Sequence, residues 1–167
     1  MKRDPAVAVG DPEPAPIAAR TPAGDLVEAR LGALIGYQLA QATVAGHRVF
    51  REQVGEPFDL RPVEYTLMTL IAANPGSSSS ALAQALAVTA PNITMWIDRL
   101  AERGWVRRRQ SSTDRRRQEL RLTAEGARLV TQATDRLIEG ERVAFDGLSG
   151  AERGMLLELL HKLARHR

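Results

Sequence analysis

The sequence predicts a mainly helical fold that carries one small β-hairpin. Three observations lead there. Apolar residues recur at three- and four-residue steps along most of the chain, the period of one face of a helix. Aromatic residues are only 4% of the 167, against 44% apolar overall, so the core must be built from Leu, Ile, Val and Ala, which favours helices over a β-sandwich. Between Trp105 and Leu122 two short strand-like runs flank an arginine-rich loop, and the second ends in polar–apolar alternation.

Residues 1–24 hold five of the nine prolines and form a flexible tail with no core of its own. Asp25 is placed as the N-cap of a long helix running to about Gln53, with Leu31, Leu34, Ile35, Leu39 and Ala42 on its apolar side. That helix is rich in Ala and Gly, which permits close approach of a partner helix, and Gly55-Glu56-Pro57 ends it. The next helix opens with Pro62 and runs to Ala73 on a Leu67, Leu70, Ile71 stripe, and Asn74-Pro75-Gly76 stops it. One of Ser78 to Ser80 caps a short helix from Ala81 to Ala87, and Val88-Thr89 makes a turn. A further helix covers Ala90 to Arg103, with Gly104 just beyond its end. Strands follow at Trp105–Arg109 and Gln118–Leu122. Thr123 caps a helix to about Phe145, Asp146-Gly147 breaks it, and Ser149 caps the last helix, whose apolar face is Met155, Leu156, Leu159, Leu160 and Leu163.

Several function classes fall away. Cysteine is absent, so disulfides, thiolate metal sites and thiol redox sensing are excluded. The three His residues, His47, His161 and His166, show no ligand spacing, and neither a metal nor a cofactor is expected. There is no nucleophile elbow, P-loop or His-Glu metal motif, so the chain is not read as an enzyme. Met1-Lys2-Arg3-Asp4 leads into Pro and Ala rather than an apolar segment, and the uncharged run from Tyr65 to Ile97 is broken by Asn74-Pro75-Gly76, four serines and Pro91. No secretion signal or membrane span is therefore expected, and the location is cytoplasmic.

Charge points to a partner. Net charge is +3, but Thr89 to Leu122 carries nine Arg and four acids, so this stretch is +5 and the remainder is −2. A local basic patch on a near-neutral body suits a polyanion bound at one place. A short helix, a tight turn and a second helix form a helix-turn-helix unit, and Ile93, Trp96, Ile97 and Leu100 give the second helix a core face. Its other face leaves Asn92, Thr94, Met95, Asp98 and Arg99 toward solvent, with Thr89, Ala90 and Pro91 at the leading end. Asn92 suits bidentate pairing with adenine, and Met95 or the Thr94 methyl suits contact with a thymine methyl. The hairpin adds a wing whose tip carries Arg115, Arg116 and Arg117, residues suited to a narrow minor groove. Asp114 is assigned to ordering that tip.

The motifs Leu82-Ala83, Ile93-Thr94, Ile97-Asp98-Arg99-Leu100, Arg103-Gly104-Trp105-Val106, Asp114-Arg115-Arg116 and Leu122-Thr123-Ala124-Glu125-Gly126 resemble the MarR family of winged helix-turn-helix transcriptional regulators, over about Leu60 to Leu129. The resemblance implies a homodimer on a pseudo-palindromic double-stranded DNA operator. It places the residues matching Asn92, Thr94, Met95, Arg99, Arg115 and Arg116 at or near DNA. Two positions depart from the family: Met95 stands where Arg or Lys is frequent, and Arg61 where Ser or Thr caps a helix.

The expected division is a tail at 1–24, a winged helix-turn-helix domain at 58–123, and a helical dimerisation region at 25–55 and 124–167. The resemblance also implies a repressor released by a small aromatic or phenolic anion, for which His47, Arg48, Arg51 and Tyr65 are candidate contacts. The alternatives are a ligand-independent architectural DNA binder and a winged-helix interaction module.

Overall fold

A computed structural model describes residues 20–110 and 118–165. The chain forms two compact units, Met1–Ala45 and Gly46–Arg167. In the first, a 3-10 turn at Ala29–Ala33 precedes helix α1, Ile35–Phe50. Asp25 is not the expected N-cap. It lies in the left-handed region (φ 53°), as does Ala29 (φ 47°), and Leu34 is extended, so the helical run is broken before Ile35. Gly32 and Gly36 flank that break, and glycine weakens a helix interior.

In the second unit α1 passes into a π-helical turn at Arg51–Gly55 and a single α-turn, α2, Glu56–Phe58. Gly55-Glu56-Pro57 therefore does not end the helical path as expected. Pro57 is tolerated because it opens a new short segment, where its missing N–H costs nothing. The chain turns instead at Asp59, which is left-handed (φ 48°). Helices α3 (Pro62–Ala73), α4 (Ser79–Leu86) and α5 (Ala90–Glu102) follow. Ser78 caps α4, accepting from the Ala81 N–H at 3.2 Å. Gly104 at φ +74° terminates α5 in a conformation that side chains resist.

Strands β1 (Val106–Gln110) and β2 (Gln118–Leu122) pair antiparallel, with Val106 opposite Leu122 and Gln110 opposite Gln118. Ser77 adds a bridge on the far side of β2: its carbonyl accepts the Leu120 N–H, and the Leu120 carbonyl accepts the Gly76 N–H. Helices α6 (Ala124–Ala144) and α7 (Gly150–Ala164) complete the chain. The core sits where α3, α5 and β2 meet: Leu67, Met68, Ile71, Ile93, Ile97, Leu100 and Leu120 are fully buried. Trp96, expected in the core, is half-buried at its edge. α7 buries none of its residues.

Candidate nucleic-acid interface

The core fixes the face that α5 turns outward. Ile93, Ile97 and Leu100 anchor it, and the opposite side exposes Ala90, Pro91, Asn92, Thr94 and Met95. Thr89 is extended at the N-cap and makes no side-chain cap bond, so its hydroxyl is left to other partners. The Thr94 hydroxyl donates to the Ala90 carbonyl at 3.1 Å, which turns its chemistry toward its own helix. Met95 is 55% exposed.

Arg99 differs from the sequence expectation of a free polar residue. Its Nε lies 3.1 Å from Oε1 of Glu64, a carboxylate with no exposure. The other carboxylate oxygen accepts the Arg61 backbone N–H at 2.9 Å. One buried acid thus closes the start of α3 and holds a cation on α5. A charge is buried only where partners replace its water, and Glu64 has both. The signal was present in the sequence: Glu64 stands at the third helical position, where a carboxylate reaches back to the N-cap.

Two further arginines, read as part of a basic patch, also have internal work. Arg108 on β1 pairs with Asp98 on α5 at 2.5 Å, so Asp98 is not simply turned to solvent. Arg103 donates to the carbonyls of Asp59 (2.5 Å) and Phe58 (3.3 Å). Its guanidinium also lies 3.8 Å over the Trp105 ring. These contacts tie the C-terminal half of α5 to β1 and to the backbone at the end of α2. Sequence reasoning missed them because each joins positions in different elements.

The wing root is equally constrained. Thr123 caps α6 by accepting the Gly126 N–H at 3.0 Å and donates to the Gly104 carbonyl at 2.8 Å. A Cβ on Gly126 would overlap the Trp105 carbonyl oxygen, so only glycine lets α6 approach there. The tip residues Asp114, Arg115, Arg116 and Arg117 lie outside the described residues.

The residues suggested for an effector are not gathered together. Arg48 lines a cleft with Glu52, Gln53, Glu139 and Val143, to which His47, Arg51 and Tyr65 do not contribute. Arg51 pairs with Glu52 and Glu56. Tyr65 has a packing role: its ring stacks at a tilt 5.8 Å from Phe50, and its hydroxyl bonds Thr134 on α6 at 2.9 Å. Among the described residues no group of three or more His, Cys, Asp or Glu is placed to hold a metal, and no helix is long and apolar enough to cross a membrane.

The MarR family profile matches residues 60–117, from the start of α3 through the wing tip. A putative transcriptional regulatory protein for the hcr operon of Thauera aromatica is 33% identical over 141 residues, covering 84% of this chain and 85% of that protein. The chain belongs to the MarR family. It is accordingly a DNA-binding transcriptional regulator, and the family is not enzymatic. Among solved structures, the transcriptional repressor CouR bound to a 23-mer DNA duplex superposes with a TM-score of 0.75 at 29% identity, covering 84% of this chain and 99% of that one. The PcaV regulator of Streptomyces coelicolor, in complex with its natural ligand, shares the fold with a TM-score of 0.71 at 21% identity, covering 81% and 94%.

Proposed function

We propose that the chain is a homodimeric repressor that reads a pseudo-palindromic operator and is released by a small-molecule effector, acting in the cytoplasm. The observation that carries the DNA-reading part is the leading end of α5. Its small and polar residues are exposed while the same helix is fixed by a fully buried core face and by Glu64, Asp98 and Arg103. Such an end admits close backbone approach to base edges, with Asn92 as the adenine reader and Met95 as an apolar contact. Thr89, Ala90, Pro91 and Thr94 border the same edge, and Arg99, held by Glu64, faces backbone phosphate rather than a base. The arginines at 115, 116 and 117 enter the adjacent minor groove, with Asp114 ordering the tip. The relative CouR on its duplex supports this placement.

Dimerisation is assigned to 25–55 and 124–167, outside the winged domain at 58–123. α7 exposes Met155, Leu156, Leu159, Leu160 and Leu163 at its surface, and such a stripe in water needs a cover. An aromatic or phenolic anion is the effector class that the family resemblance implies. Arg48 is the one of the four candidate contacts that lines the cleft with Glu52 and Glu139, and Tyr65, already bonded to Thr134, acts through packing. The test is selection of bound fragments from genomic DNA by the purified protein. A single inverted-repeat motif is expected, and enrichment of no motif overturns the reading.

A further inference from the structure

Position 61 is where α3 begins, and the family's Ser or Thr is replaced there by Arg. The usual reason for a hydroxyl is to cap the helix. Here Glu64 supplies only the reciprocal half of such a cap, accepting the Arg61 N–H at 2.9 Å, and the Arg61 side chain makes no cap hydrogen bond. That side chain borders the same groove as Ala90, Thr94 and Met95 of α5, the residues at the reading edge. It is exposed and makes no ion pair among the described residues. Two other charges in the groove have protein partners, Arg99 with Glu64 and Asp98 with Arg108. Glu102, at the far end of α5, makes no ion pair among the described residues and would repel phosphate if nothing offset it. The groove therefore faces an anionic duplex with Arg61 as its counter-charge. Met95 gives this edge of α5 an exposed apolar side chain instead of a cation.

We propose that Arg61 is a DNA-backbone contact, supplying positive charge from the start of α3 beside the apolar, exposed edge of α5. The inference rests on the DNA-binding reading above. A guanidinium at the rim of the groove, rather than on its floor, contacts phosphate and carries no base information. Charge at this edge then comes from α3, and Met95 leaves α5 an apolar surface for thymine methyls.

The experiment measures binding to sheared double-stranded DNA of mixed sequence over a range of salt concentrations. Wild type must bind for the underlying reading to stand. Arg61→Ser is expected to keep the fold, since Ser is a good N-cap, and to lower the salt slope by about 0.9 for each phosphate that Arg61 neutralises. Arg61→Gln, a second neutral variant, should match it, and Arg61→Lys should retain the wild-type slope. Met95→Arg added to Arg61→Ser should restore both slope and affinity. Wild-type binding with unchanged slope and affinity in Arg61→Ser and Arg61→Gln overturns the proposed phosphate pairing. Failure of Met95→Arg to restore the loss overturns the supply of phosphate-pairing charge at this groove.

Discussion

Glu64 places a carboxylate with no exposure between the Arg61 N–H and the Arg99 guanidinium. Removing it leaves the Arg61 N–H without its acceptor and Arg99 without its ion pair. Glu64→Ala is expected to cost about 1–3 kcal/mol in a urea unfolding midpoint. The figure stays below the full penalty for a broken buried pair because Arg99 is 37% exposed and water takes over part of the pairing. Glu64→Gln keeps an acceptor for the N–H and should lose less. Gly126→Ala acts by steric conflict, with its Cβ driven into the Trp105 carbonyl oxygen, a backbone atom that cannot rotate away. Overpacking of that kind costs about 1–3 kcal/mol, read in the same assay, and unchanged stability would contradict the close approach. Asn92→Ala touches no core residue, so its effect belongs to recognition. Operator affinity should fall by about 1–3 kcal/mol with one base preference relaxed, and stability should hold. Of these three residues, Asn92 was legible from its place on a helix face. Glu64 and Gly126 were not read for their roles, because a buried pair and a close backbone approach join elements whose packing a linear pattern does not contain.

At the level of elements, helices anchored by caps were read accurately. Ser78, Thr123 and Ser149 each accept a backbone N–H of the helix that follows, as their residue types indicated. The Ser149 cap is reciprocal. Its hydroxyl and its backbone N–H both donate to Glu152, at 2.6 and 2.8 Å, and these bonds hold that carboxyl below the usual carboxylate range. A group whose folded value lies below its unfolded one stabilises at pH above the unfolded value and ceases to do so as pH falls through the folded one. α7 should therefore fray on acidification, and Ser149→Ala, which keeps only the backbone donor, should weaken that pH response in circular dichroism. An unchanged response would contradict the cap. The first helix was misread because Ala and Gly leave its start undetermined, and a left-handed Asp25 cannot serve as an N-cap. The break at Arg51–Gly55 was misread because a π-helical turn has no sequence period of its own. The hairpin was legible from its flanking runs, and its first strand begins one residue later than expected, at Val106.

For the molecule as a whole, the decisive quantities are assembly and specificity. The apolar surface of α7, together with Leu31, Leu34, Ile35 and Leu39 in the first unit, is more than a lone chain would leave uncovered. Sedimentation is expected to give a dimer at micromolar concentration, and a stable monomer would contradict it. A two-fold dimer presents its reading helices about 34 Å apart, one turn of duplex. Family and fold were legible from the spacing of Ile97-Asp98-Arg99-Leu100, the wing and Leu122-Thr123-x-x-Gly126, since each follows from a local need for a core face, a cap or a close approach. Which arginines face outward was not, because Arg99, Arg103 and Arg108 look alike in sequence until their acidic or carbonyl partners are located in space. The most direct measurement is affinity for the selected operator in competition with mixed-sequence duplex at near-physiological salt. Preference for the operator by about 10³-fold or more is expected, falling in Asn92→Ala. Equal affinity for the two duplexes would contradict sequence reading by α5.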